Sequence, residues 1–253
     1  MKSVITIKNC KVVNEGLIEE KDILIKSGRF ERISGDIVSE GHVIDAAGLF
    51  LMPGIIDDQC HFREPGLTER GSIKTESLSA IAGGTTSFME MPNVLPPTLD
   101  IDLWREKIQI AEQTAAANFS FYMGTSNSNI DQIKAIDPKE VCGVKIFMGS
   151  STGDLCVDSE SALNDIFKES PVIITTHCED DPMVKDMEQQ FLARYGEKIP
   201  IEMHAEIRSR EACIKSSKKA IDCLVWFQFS LEKVERIPKV LNPENSPRIL
   251  SLH

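Results

Sequence analysis

Six side chains in this sequence could work together chemically: Gln59, His61, Arg63, Asn93, Lys145 and His177. Three of them alternate within Asp57-Asp58-Gln59-Cys60-His61-Phe62-Arg63-Glu64-Pro65-Gly66. On a strand, side chains alternate with period two, so Gln59, His61 and Arg63 are predicted to share a face. An imidazole there suits a metal ion, and a guanidinium fork suits a carboxylate. Taken alone, the stretch is equally well explained by His61 capping a loop and Arg63 pairing with Glu64 or Glu69. Asn93 follows Met91-Pro92, where a turn before Val94-Leu95-Pro96-Pro97 is its plain structural role. Lys145 lies in CGVKIFMG, an apolar run that reads as a buried strand. An unpaired ammonium is costly to bury, so Lys145 needs either a use or a counter-ion such as Glu90 or Glu179. His177 ends another strand-like run, PVIITTH, where a structural hydrogen bond is the ordinary role.

The elements that must position these residues alternate regularly after about residue 50. LFLMPGIIDD reads as a buried strand and SIKTESLSAIAGG as a helix stopped by a glycine pair. TTSFMEMP, NFSFYMGTS, CGVKIFMG and PVIITTHCE read as further strands. Between them fall a helix opened by Asp100, a short helix NIDQIKAI, and one with Ser159 as N-cap. DPMVKDMEQQFLARYG and AEIRSREACIKSSKKAID follow as helical stretches. Strands alternating with helices imply βα units and a parallel sheet. Polar, chemically capable residues end successive strands, as on the active face of a (β/α) barrel. A doubly wound open sheet is the alternative, but no GxGxxG follows a strand.

Residues 1–52 read differently, as short strands broken by Asn14-Glu15-Gly16, Ser27-Gly28 and Ala47-Gly48. The expected division is a β module over 1–52, a partial barrel over 53–222, and a tail over 223–253 that breaks the pattern. The tail holds Pro238, Pro243 and Pro247 and no Asp.

Composition narrows the function classes. The chain has 253 residues, with 39 acidic against 28 basic side chains and a net charge of −11. That balance argues against a nucleic-acid binder, which needs a basic footprint. No run of about eighteen apolar residues is present, so no membrane span is expected. MKSVITIKNC alternates like a strand and does not read as a signal peptide. Seven cysteines, odd in number and without a CxxC pair, read as free thiols of a cytoplasmic protein. Cys60 and Cys178 alternate away from the candidate metal positions and read as packing residues. His42 and His204 have no motif around them and read as surface or loop histidines.

Five ordered motifs resemble the amidohydrolase superfamily, and dihydroorotase within it: VIDAAGLFLMPGIIDDQCHFREPG, AGGTTSFMEMPN, CGVKIFMGSSTGDL, PVIITTHCED and EIRSREACIKSSKKAID. The resemblance spans about residues 1–222 and implies a TIM-like (β/α) barrel with a small β-sandwich module at its N-terminal side. It implies a hydrolase acting on cyclic amides: reversible cyclisation of N-carbamoyl-L-aspartate to dihydroorotate, in pyrimidine synthesis. It implies two Zn²⁺ ions bridged by a carboxylated Lys145, with His61 on one and His177 on the other. Gln59 stands where the family carries the first His of a HxH pair, and an amide oxygen is a poor substitute for imidazole. Arg63 and Asn93 match the residues that grip the substrate carboxylate. Allantoinases and hydantoinases resemble the motif but lack that Arg.

The family mechanism also needs a His from a sixth strand and a general-base Asp from an eighth. After Asp222 the chain has no Asp, and no His before His253, so neither role can be assigned. Residues 53–222 also fall short of the ~250 residues of a full barrel. The resemblance therefore implies an incomplete barrel. Two other readings follow: a catalytically inactive dihydroorotase-like assembly partner, and an allantoinase- or hydantoinase-like hydrolase. The expected partners are a small-molecule substrate and, in a homodimer, a second copy.

Overall fold

The computed structural model describes residues 4–149 and 153–228, the side chains of 224–228 excepted. The chain divides into two compact units. Among the described residues, the first holds residues 4–56 and 80–87, and the second holds 57–79 and 88–228.

The N-terminal strands are β1 (Val4–Asn14), β2 (Leu17–Lys26), β3 (Arg29–Ser34), β4 (His42–Asp45) and β5 (Phe50–Leu51). They form one sheet in the order β3-β2-β1-β4, with β5 also paired to β1. The turns at Glu15-Gly16 and Ser27-Gly28 have positive φ at both positions (49° and 77°, 53° and 73°). Such two-residue turns match the twist of the antiparallel strands that they join. Ile7, Cys10, Ile23 and Ile25 form the small core of this sheet. Buried Asp22 on β2 ties β1 to the segment after β3, accepting N–H bonds from Asn9 and Ile37 at 3.0 Å each and one from the Lys8 ammonium.

The second sheet has the order β10-β9-β8-β7-β6, with β6 (Ile55–Cys60), β7 (Thr85–Glu90), β8 (Asn118–Gly124), β9 (Gly143–Phe147) and β10 (Ile174–His177). It is a curled parallel sheet, half of a barrel. The crossovers are α1 (Ile73–Ala82), α2 (Ile101–Thr114), α3 (Ile130–Lys134) and α4 (Glu160–Glu169). After β10 come α5 (Asp181–Tyr195), α6 (His204–Ile207) and α7 (Arg210–Gln228). Asp100 caps α2 by accepting from Leu103 N at 2.8 Å, and Ser159 caps α4, both as the sequence predicts. The core runs from Phe88, Phe121 and Met123 through Val144 and Ile146 to Leu163 and Ile166. Phe62 joins it from outside the strands, 4.6 Å from Phe88 between ring centroids.

Three expectations need correction. LFLMPGIIDD is not one buried strand: Met52-Pro53-Gly54 separates β5 from β6, and Ile55 and Ile56 are 56% and 53% exposed. A strand of a parallel sheet is buried only where neighbours and helices cover it, and among the described residues β6 is an edge. The last helical stretch divides at Arg208-Ser209 into α6 and α7, and α7 runs past Asp222 to Gln228. The rest of the expected tail lies outside the described residues. Third, β6 ends at Cys60, so the strand alternation that would align Gln59, His61 and Arg63 stops short of the last two.

Candidate active site

The chain leaves β6 at Cys60 and turns, with Phe62 buried and Arg63 in a left-handed conformation (φ 72°). Non-glycine residues adopt that conformation at a cost that the surroundings must offset. Here Glu90, at the end of β7, accepts the Arg63 N–H at 2.8 Å. Gly66 (φ 80°) completes the loop; a Cβ there would lie 1.9 Å from the Leu95 carbonyl oxygen. Glu64 accepts the Ile73 N–H at 2.7 Å, at the start of α1. Glu64 therefore serves the helix, and Glu69 lies by Arg70 at 3.8 Å, so neither is the Arg63 partner considered from sequence.

The turn brings three candidate residues together. His61 Nδ1 lies 2.8 Å from Asn93 Oδ1, and the Arg63 guanidinium donates to the Asn93 carbonyl at 3.1 Å. Removal of surrounding water lowers the His61 pKa, and the Arg63 and Lys145 charges lower it further; the Asn93 hydrogen bond opposes this. The neutral imidazole is thus favoured, the form that binds metals and accepts protons. Gln59 is exposed on β6, its own N–H held at 3.0 Å by Asp57 Oδ1.

Lys145 sits on β9 between Gly124 of β8 and Thr175 of β10. The residue is 2% exposed. Neither counter-ion considered from sequence reaches it. Glu90 pairs with Lys107 at 2.8 Å, and Glu179 pairs with Arg208 and His177. Among the described residues the Lys145 ammonium has no ion-pair or hydrogen-bond partner; its nearest group of note is the Phe147 ring, 5.2 Å from Nζ to centroid. Burial lowers its pKa, with only a small opposing influence from Cys178. His177 ends β10, with Nε2 2.7 Å from Glu179 Oε2. Arg208 donates from Nε to Glu179 Oε1 at 2.7 Å and from a second nitrogen to Oε2. Gly149 lets this corner close, since a Cβ would fall 2.3 Å from the Glu179 carbonyl oxygen.

The structure thus joins His61, Arg63 and Asn93 in one hydrogen-bonded group, with Lys145 in electrostatic range of His61. His177 stands in a second group with Glu179 and Arg208. Sequence reasoning missed Glu90, Lys107, Glu179 and Arg208 as organisers of these groups. Lys107 carried a usable signal: it shares the buried face of α2 with Trp104 and Ala111, an apolar stripe where a charge is out of place.

No family model matches the chain. Individual proteins do. An L-hydantoinase of Paenarthrobacter aurescens is 33% identical over 199 residues, covering 76% of this chain and 43% of the relative. A dihydroorotase of Methanosarcina mazei is 32% identical over 225 residues, covering 87% of this chain and 47% of the relative. An allantoinase of Bacillus velezensis is 30% identical over 224 residues.

The chain is a homologue of the cyclic amidohydrolases.

The solved L-hydantoinase from Arthrobacter aurescens superposes on this amidohydrolase homologue with a TM-score of 0.82 at 29% identity, covering 90% of this chain and 51% of its own. The homologue therefore spans about half the length of the relatives that it matches. Among its described residues, no three His, Cys, Asp or Glu side chains come together to hold a metal ion. His61, Lys145 and His177 alone do not fit a complete two-metal centre. No described helix is long and apolar enough to cross a membrane.

Proposed function

We propose that this chain carries the substrate-anchoring part of a dihydroorotase-type site, in the reversible cyclisation of N-carbamoyl-L-aspartate to dihydroorotate. One observation carries the reading: Arg63 and Asn93 are fixed side by side at the C-terminal end of the sheet, with the His61 imidazole beside them. A guanidinium next to an amide is a carboxylate-binding arrangement. It would hold the substrate carboxylate and leave the ring amide toward His61 and Lys145. Lys145 is buried without a counter-charge among the described residues, which favours the free amine. A free amine can add CO₂ and release a proton to give a carbamate. In the zinc part of this reading, carboxylated Lys145, His61 and His177 would be donors, with Gln59 in the place of a fourth. The donor count among the described residues does not support it. The same reading places the reaction in cytoplasmic pyrimidine synthesis, treats the N-terminal sheet as half of a β-sandwich, and allows a homodimer.

Calorimetric titration with N-carbamoyl-L-aspartate tests the reading. Wild-type chain is expected to bind it, and Arg63→Gln to bind at least about tenfold more weakly, as loss of a charged bidentate contact requires. Equal binding by the two proteins would overturn the assignment. A second reading, a hydantoinase-like site, is favoured by the L-hydantoinase among the relatives in both sequence and structure. Binding of a 5-substituted hydantoin that ignores Arg63→Gln would select it. Binding of N-carbamoyl-L-aspartate with no ring closure in the presence of Zn²⁺ would instead select the inactive assembly partner.

A further inference from the structure

We infer that the buried Glu90–Lys107 pair is the positioning device of the substrate-anchoring loop, setting the Arg63 guanidinium against Asn93. The inference deepens the reading of Arg63 above and rests on it. Both charged side chains are fully buried, with Lys107 Nζ 2.8 Å from Glu90 Oε2. A buried pair of this kind is weak evidence for stability, since apolar residues of similar size often serve a core as well or better. What distinguishes this one is where its ends go. Glu90 holds the Arg63 N–H on one side of the site, next to buried Phe62. Lys107 donates to the Met91 carbonyl at 3.1 Å, two residues before Asn93, on the other. The Lys107 ammonium also lies 4.8 Å from the Phe121 ring centroid, which keeps it seated against the core. One ion pair therefore spans the two strand ends that present the anchoring residues. It also supplies the acceptor that lets Arg63 keep its left-handed backbone. Neither side chain needs to touch the substrate; both act through Arg63 and Asn93.

The test uses the full 253-residue chain carrying Glu90→Gln, Lys107→Met or both. Amide hydrogen exchange is followed by NMR at Phe62 and Arg63, with Met123 and Val144 as references in β8 and β9. Each single variant is expected to speed exchange at Phe62 and Arg63 by at least about tenfold over the references. Glu90→Gln turns an amide N–H₂ toward the ammonium, and Lys107→Met leaves a lone buried carboxylate. The double variant removes both conflicts while keeping an oxygen for the Arg63 N–H, so protection should return to within about threefold of wild type. Glu90→Asp, which keeps the charge but draws the carboxylate back by a methylene, supplies the comparison where a single variant does not fold. Exchange that rises equally at the reference amides, or stays slow at Phe62 and Arg63, overturns the positioning role. Affinity for N-carbamoyl-L-aspartate is measured on the same proteins and should follow the same order, with Arg63→Gln as the floor. If Arg63→Gln binds like wild type while the exchange order holds, the substrate reading has failed and the positioning of the loop stands.

Discussion

Lys145→Met should make the protein more stable. The wild-type ammonium is carried on a residue only 2% exposed, with no counter-ion among the described residues. Its contact with the Phe147 ring, 5.2 Å away, contributes ~0.5–2 kcal/mol when desolvated. A methionine sulfur near the same ring returns ~0.3–1.5 kcal/mol. These two nearly offset, which leaves the desolvation of the charge as the net difference. Replacing buried ionic groups with apolar ones of similar volume has stabilised other proteins by ~1–4 kcal/mol. A gain of about 1–3 kcal/mol is therefore expected at pH 7. The sign of its pH dependence follows from linkage. Burial lowers the folded-state pKa of Lys145, so between that value and the unfolded one the unfolded chain binds the extra proton. Wild-type stability then rises with pH across this window, which ends near ~10.4, and the advantage of Met shrinks as it does. The assay is urea unfolding at several pH values, with buried Trp104 as a fluorescent reporter. Carbonate-free buffer is needed, because a carbamate would replace the amine. A Lys145→Met protein less stable than wild type at neutral pH would refute the view that this amine is buried without compensation.

Other outcomes follow from neighbouring features. Asp22 is pushed up by burial but pulled lower overall by the Lys8 ammonium and the Asn9 and Ile37 N–H groups. A depressed carboxylate pKa contributes stability that is present above the unfolded value of ~3.9 and lost as pH falls through the folded one. Circular dichroism of Asp22→Asn should thus show weaker acid sensitivity than wild type below about pH 4, and a loss of about 1–2 kcal/mol at neutral pH. Gly149→Ala should cost about 1–3 kcal/mol in denaturant unfolding, because its Cβ would fall 2.3 Å from the Glu179 carbonyl oxygen; unchanged stability would show that this corner is loose. Arg208→Met removes both guanidinium bonds to Glu179 and should cost about 1–3 kcal/mol. The His177 ring signals should shift with it in NMR spectra, since Glu179 holds that ring.

The parallel βα order, the side-chain caps at Asp100 and Ser159 and most strand positions were legible in the sequence, because each depends on local pattern. Helix caps need a short polar side chain just ahead of an apolar periodic run, as at Asp100 and Ser159. Strand identity needs a short apolar run between turn residues, as in CGVKIFMG. The places of His61, Asn93, Lys145 and His177 at or just past the ends of successive strands were legible as well, since polar groups there stand out against apolar runs.

Their partners were not legible. Which carboxylate answers which cation depends on distances between strands that a linear sequence does not contain. From sequence, Glu90 and Glu179 were both open to Lys145. In the fold, the first faces Lys107 on α2 and the second faces Arg208 beyond α6. The alternation of Gln59, His61 and Arg63 failed for a related reason: Phe62 is drawn into the aromatic core, and Glu90 bends the backbone at Arg63. By itself the sequence determined which residue types stand at the strand ends and the order of the elements that present them, because both are written in residue type and period. Tertiary structure alone decided that Lys145 meets no counter-charge among the described residues while Arg63 and Asn93 are clasped together. A buried charge is satisfied or orphaned only by what the other strands bring within about 3 Å of it.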